Sequence, residues 1–266
     1  MDIALRVKKI ALKTLPLLCL TLAALSACDK PKVAPRPDHA AELRAAGYTG
    51  APVITAVSQP SPGTVVVTGK ALPDGRVRFL YGQDRAVGVT ADSQGRFSAE
   101  LPISGAGGLY DLSMEDSGAL LHAEGRLFVP AGQPAKAVLL RPGSPAAPLT
   151  PPGLGIVVVD YDSAGALGVV GRVAPRAGIN LVVDSEVRAQ PISDPNGMYS
   201  AVTQIAPPTD NKAMVTVSAE AAGAEWKRAV PVSKPAADQD AVTAIDGGWR
   251  VDWRMPGGGV QTTLVF

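Results

Sequence analysis

The chain has 266 residues, 46% of them apolar, 18% charged and 5% aromatic, with a formal net charge of +1. That much apolar side chain excludes wholesale disorder, and a charge so near neutrality argues against a broad basic surface for nucleic acid or another acidic polymer. Abundant Ala, Gly, Val and Pro with scarce aromatics point to small β domains with many turns.

Residues 1–27 have the parts of a secretory signal peptide: Arg6, Lys8, Lys9 and Lys13, then an apolar stretch from Leu15 to Leu25, then small residues. The stretch is shorter than the roughly 20 apolar residues that a membrane-spanning helix requires. The tetrapeptide Leu25-Ser26-Ala27-Cys28 resembles the lipobox of bacterial lipoproteins. The resemblance implies that Cys28 receives a diacylglyceryl group on sulfur and becomes the acylated N-terminus. The membrane is then a partner through the lipid anchor, and at about 0.8 kcal/mol per buried methylene several acyl chains hold firmly. It also implies a place in the cell envelope, facing the periplasm. Asp29 is similar to the inner-membrane retention signal of enteric lipoproteins and favours the inner over the outer membrane.

Processing has two consequences. Cys19 leaves with the signal and Cys28 carries lipid, so no thiol remains for a disulfide, a metal site or a nucleophile. Loss of four basic side chains and one acid turns the net charge of +1 into about −2. Residues 28–52 then form a tether: Pro31, Pro35 and Pro37 favour a semi-rigid extended chain, and Ala40 to Ala46 allow a turn or two of helix. Its expected role is to hold the folded part off the bilayer.

From residue 53 the chain repeats itself. Val67-Thr68-Gly69-Lys70-Ala71-Leu72-Pro73, Phe79 and Asp92-Ser93-Gln94-Gly95-Arg96-Phe97-Ser98 match Val169-Val170-Gly171-Arg172-Val173-Ala174-Pro175, Leu181 and Asp194-Pro195-Asn196-Gly197-Met198-Tyr199-Ser200, each pair 102 positions apart. Two copies of one domain is the economical explanation. Pro73-Asp74-Gly75 has the composition of a tight turn, with Pro175-Arg176-Ala177-Gly178 as its analogue. Asp-x-x-Gly-x-aromatic predicts a hairpin corner in which the Asp side chain accepts from backbone N–H groups two or three residues on. The aromatic, Phe97 or Tyr199, then points inward. Val65, Val67, Val77, Phe79 and Tyr81 show the period-2 alternation of half-buried strands.

This order of turns and strands resembles the bacterial immunoglobulin-like and carboxypeptidase-regulatory-like β-sandwich modules that serve as spacers and adhesive units in envelope proteins. It implies an all-β fold: two tandem antiparallel β-sandwiches, at 53–141 and 154–234, behind the lipidated tether. Such modules are usually non-catalytic, so the resemblance carries no active-site residues across. Between the copies, the proline-rich residues 142–153 predict an extended linker.

Residues 238–266 predict a C-terminal β-hairpin. Trp249, Val251 and Trp253 alternate with Arg250, Asp252 and Arg254, and Val260 to Phe266 return after Met255-Pro256-Gly257-Gly258-Gly259. An isolated hairpin is marginal in water. Its apolar face either covers the second sandwich or, with Trp226, Trp249 and Trp253 exposed, offers an aromatic platform to a sugar or a protein.

The catalytic and metal-binding patterns are incomplete. His39 lies in the tether, so a Ser-His-Asp arrangement would rest on His122 alone. Asp160-Tyr161-Asp162-Ser163-Ala164-Gly165 begins like a calcium loop, yet Gly171 stands where the twelfth-position Glu belongs, and a strand-end turn with solvated acids is expected instead. Glu115-Asp116 and Asp238-Gln239-Asp240 are expected to be exposed turns. Gly257-Gly258-Gly259 lacks the Lys-Ser/Thr of a phosphate loop. The sequence therefore predicts no enzyme, no metal and no cofactor. It predicts an envelope lipoprotein acting as spacer and interaction module for another envelope protein, with a glycan such as peptidoglycan or surface polysaccharide as the alternative partner.

Overall fold

The computed structural model describes residues 50–82, 84–116, 118–235, 239–256 and 258–266. The signal peptide, Cys28 and the tether as far as residue 49 lie outside the described residues. The described residues fall within one compact unit.

The first half contains β1 (Val53–Ser61), β2 (Thr64–Lys70), β3 (Arg76–Tyr81), β4 (Arg85–Thr90), β5 (Arg96–Pro102), β6 (Gly107–Asp116), β7 (Ala119–His122), β8 (Arg126–Pro130), β9 (Val138–Leu140) and β10 (Ala147–Pro148), with a 3-10 turn at Pro134–Lys136. The second half contains β11 (Gly155–Asp162), β12 (Ala166–Arg172), β13 (Asn180–Val183), β14 (Glu186–Ala189), β15 (Met198–Gln204), β16 (Ala213–Ala221), β17 (Ala224–Val232), β18 (Ala241–Ile245), β19 (Gly248–Arg254) and β20 (Val260–Val265).

These strands build four antiparallel sheets. Sheet I is β1-β2-β5, and sheet II is β10-β9-β8-β6-β3-β4 with β7 beside the end of β6. Sheet III is β15-β12-β11-β20-β19-β18, and sheet IV is β14-β13-β16-β17. Within each half, a β5-β2-β1 or β15-β12-β11 face opposes a β4-β3-β6-β8 or β14-β13-β16-β17 face. That is the strand order of immunoglobulin-like and fibronectin-type sandwiches.

The repeat is legible atom by atom at its corners. Asp92 Oδ1 accepts from the N–H groups of Gln94 and Arg96, at 2.8 and 2.9 Å, and Asp194 Oδ1 accepts from Asn196 and Met198, both at 2.8 Å. The acceptor thus reaches two and four residues on, one further than the corner motif predicts. Gly95 and Gly197 take φ of 75° and 84°, and a Cβ on either would meet a backbone oxygen, that of Ala71 or of Val173. In the preceding turn the left-handed residues are Asp74 and Arg176, not the glycine, so Ala177 occupies the place of Gly75 without a positive φ. The aromatics do point inward: Phe97 lies across Gly69, its register partner on β2, and Tyr199 across Gly171 on β12. A glycine in mid-strand leaves a flat gap, and the ring fills it.

Three apolar cores alternate with the four sheets. Val65, Val67, Phe79, Phe97, Leu101, Tyr110 and Leu112 fill the first sandwich. Val159, Tyr161, Leu167, Val169, Leu181, Tyr199 and Val217 fill the second. The third core joins the halves: Phe128, Val138 and Leu140 from sheet II pack on Val158, Val170, Val251, Trp253 and Val265 from sheet III. Sheet III is consequently apolar on both faces, which explains the near-continuous Ile156-Val157-Val158-Val159 run.

Two sequence expectations change here. Residues 142–153 are not a free-standing linker. Ala147 and Pro148 form an edge strand on β9, Ala146 is fully buried, and the Leu149 N–H donates to the Ala137 carbonyl at 3.0 Å. The C-terminal hairpin β19-β20 carries a third strand, β18, on its outer side, while β20 hydrogen-bonds β11 and so joins the hairpin to the second sandwich.

Candidate interaction site

The three tryptophans do not form an exposed platform. Trp253 is 0% and Trp249 9% exposed, because the period-2 alternation puts both on the face of sheet III that the first sandwich covers. Trp253 Nε1–H donates to Thr263 Oγ1 at 3.2 Å, and Lys136 of the first half stands 5.3 Å from the Trp249 ring centre. Trp226 belongs to a different core. It is half-buried on β17, against Gly155 and the inside of the second sandwich. Of the two readings of the hairpin, the geometry is that of packing.

Of the two acids in the calcium-like segment, one follows expectation and one does not. Asp162 caps a strand-end turn, accepting from the N–H groups of Ala164 and Ala166 at 2.9 and 3.0 Å. Asp160 is not solvated. Its side chain is buried where the inter-sandwich segment meets β11 and β20, accepting from the Ala146 N–H at 2.8 Å, from Gln261 Nε2 at 3.2 Å and from the Thr263 hydroxyl. Burial pushes its pKa up to about 6, against the downward pull of Thr263, the Ala146 N–H and Gln261. His122 ends β7 on the surface. No group of three or more His, Cys, Asp or Glu side chains that could hold a metal occurs among the described residues.

What the fold does assemble is a polar cleft at the junction of the halves. Arg126, at the start of β8, reaches Asp111 on β6 at 2.7 Å and Asp240, just before β18, at 2.8 Å. Burial works against the Arg126 charge, but the two carboxylates outweigh it and raise its pKa above the ordinary guanidinium value. Partial burial likewise disfavours the Asp240 carboxylate, yet the Arg126 hydrogen bond and the Arg254 N–H, 3.0 Å away, hold it below its usual range. Asp240 is therefore exposed, as the sequence suggests, and is also a structural partner across the junction.

Beside this pair opens a cavity of about 450 Å³, lined by Tyr81, Arg85, Tyr110, Arg126, Asp240 and Arg254. The Arg85 guanidinium lies 4.9 Å from the Tyr81 ring centre, and Tyr110 is fully buried with its hydroxyl donating to the Pro102 carbonyl at 2.7 Å. These residues come from six strands or strand ends, so no spacing in the sequence announces them. The only hint was that Arg254 closes the charged side of the Trp249–Arg254 alternation.

No family model matches the chain, and no curated protein matches it. Among solved structures it is similar to a "Biofilm associated protein - BSP domain", at 14% identity and a TM-score of 0.23, covering 71% of this chain and 30% of that one. It is also similar to a "Central Fibronectin-III array of RIM-binding protein", at 13% identity and a TM-score of 0.25, covering 78% of this chain and 74% of that one. At these scores the likeness carries no argument about what the chain does; its all-β architecture stands on the strand order described above.

Proposed function

We propose that this chain is a non-enzymatic, lipid-anchored protein of the bacterial envelope, in which paired β-sandwiches act as a stiff spacer and protein-interaction module. The observation that carries the reading is the third apolar core. Two sandwiches joined only by an extended linker would move independently, since the default between domains is relative motion unless the interface is large and apolar. Here Trp253, Val251 and Phe128 are buried between them, and the connecting segment is bonded to both. A stiff body presents its surfaces at a set distance from its anchor, as a spacer needs. The anchor itself rests on the lipobox-like Leu25-Ser26-Ala27-Cys28, the periplasm-facing inner-membrane location on Asp29, and the stand-off on the proline-rich tether.

Burial of Trp249 and Trp253 removes the aromatic platform that motivated a glycan partner, so a protein partner is the favoured reading. Spin labels at the exposed Ser98 and Glu225 should give one narrow distance distribution in the detergent-extracted protein; a broad one would refute the stiff body. In-cell cross-linking should recover one envelope protein in constant ratio. Retention on purified sacculi, with no cross-linked protein, would transfer the function to glycan binding.

A further inference from the structure

We propose that the cleft between the two halves is a binding site for an acidic peptide segment, with Arg85 and Arg254 as the residues that engage its carboxylates. This deepens the protein-interaction reading and rests on it. The cavity of about 450 Å³ has room for a few side chains, and three guanidinium groups line it against one carboxylate, that of Asp240. Asp240 is already engaged by Arg126, as is Asp111 behind it. Neither Arg85 nor Arg254 forms a close ion pair with a carboxylate among the described residues, although the Arg254 charge also acts on Asp240 at longer range. The two lie at different walls, Arg85 at the start of β4 in the first half and Arg254 at the end of β19 in the second.

Guanidinium forks match carboxylates geometrically, and both arginines are exposed and so open to a ligand. The Arg126–Asp240 pair ties the first half to the second beside the cleft.

The same walls argue against a sugar. A saccharide that stacks on an aromatic face finds none here, because the Tyr81 ring is covered by Arg85 and Tyr110 is buried. A peptide needs no such face. It can lay carboxylates on the arginines and its backbone along the polar rim of Ser104, Gly107 and Gly108, which also line the cavity.

The test uses the full-length protein in detergent and fluorescein-labelled octaglutamate, followed by fluorescence polarisation at low and at physiological salt. Saturable binding is expected with octaglutamate and not with octaserine, weakening as salt rises. Arg85→Ala/Arg254→Ala should lose at least tenfold in affinity with an unchanged melting curve, and Arg85→Lys/Arg254→Lys should recover part of it. Should the double alanine variant fold poorly, Arg254→Ala alone should still weaken binding several-fold. Octaglutamate that does not bind, or binds both variants as it binds the wild type, overturns the proposal, as does binding of polygalacturonate in preference to octaglutamate. If the cross-linked envelope partner is recovered equally well with the double alanine variant, the interaction module stands and the cleft is not its contact.

Discussion

Asp160 and Trp253 are joined through one hydroxyl: Thr263 donates to the Asp160 carboxylate and accepts from the Trp253 indole N–H. The same carboxylate accepts from Ala146 in the segment between the sandwiches. One buried acid therefore couples the connecting segment, β11, β20 and the inter-sandwich core. Its pKa is raised from 3.8 to about 6, so the folded state binds a proton more tightly than the unfolded chain does. Stability from this group is complete below pH about 4 and is lost as pH rises through about 6. Two pKa units correspond to about 3 kcal/mol. Asp160→Asn keeps an acceptor for Ala146 and removes the charge. It should raise stability at pH 7 and flatten the change between pH 4 and 6, while Asp160→Ala should destabilise by about 1–3 kcal/mol for each buried group left without a partner. Urea titrations at pH 4, 5, 6 and 7 measure both; identical pH profiles for wild type and Asp160→Asn would refute the assignment.

Phe97 and Tyr199 are equivalent rings in the two copies, both over a glycine of the neighbouring strand. Truncation of either to alanine should cost about 3–5 kcal/mol, the usual loss for a buried ring. The pair also supplies a finer test. The Tyr199 hydroxyl is buried and has no hydrogen-bond partner among the described residues, and burial raises its pKa. Tyr199→Phe, which copies the first repeat, should leave stability unchanged or raise it by about 1 kcal/mol. A clear loss in its melting curve would mean that the hydroxyl is engaged.

The corners and the alternation were readable because they are local. Asp92, Gly95 and Phe97 determine their own turn, and the same chemistry returns at Asp194, Gly197 and Tyr199. The junction was not readable. Trp249 and Trp253 have the same alternation whether their face meets solvent, a partner or another domain, and only Phe128 and Leu140, more than a hundred residues earlier, decide among these. Asp160 looked like an exposed turn acid because its neighbour Asp162 is one, and its burial depends on β20 at the far end of the chain. β18 is not legible in the sequence because Ala241-Val242-Thr243-Ala244-Ile245 is short and mixed in character, and takes its pairing from β19.

Two glycines with the same backbone sign separate strain from collision. Gly197 has φ 84° and a Cβ there would collide with the Val173 carbonyl oxygen, whereas Gly223 has φ 81° with nothing within 4 Å. Gly223→Ala should cost about 1–2 kcal/mol, the left-handed penalty alone. Gly197→Ala must also displace backbone and should cost clearly more. Equal losses in chemical denaturation would show that the corner yields freely.

The lipid anchor is tested at the sulfur. Acylation of the lipobox-like motif requires the Cys28 thiol, so Cys28→Ser should release the protein to the soluble fraction or leave uncleaved precursor. Intact-mass measurement of membrane-extracted wild type should give a diacylglyceryl-modified N-terminus; an unmodified Cys28 there would remove the anchor from the proposed function.

The C-terminal strands should govern the coupling of the two halves, because β20 supplies a hydrogen-bonded neighbour to β11 while β19 and β20 supply Trp253, Val251 and Val265 to the shared core. Trp253→Ala empties the largest fully buried side chain of that core and leaves Thr263 without its indole donor. A loss of about 3–5 kcal/mol is expected. The loss should have a spatial signature that a mutation inside either sandwich would not give. With the junction loosened, residues 142–153 lose their cover, and limited proteolysis should cut there before either sandwich is attacked. Phe97→Ala should instead open the first sandwich. Deletion of residues 241–266 is the extreme case and should both lower the melting temperature of the second half and expose the same segment. If Trp253→Ala leaves the melting curve and the protease pattern unchanged, the two sandwiches are coupled by something other than this core, and the stiff spacer loses its physical basis.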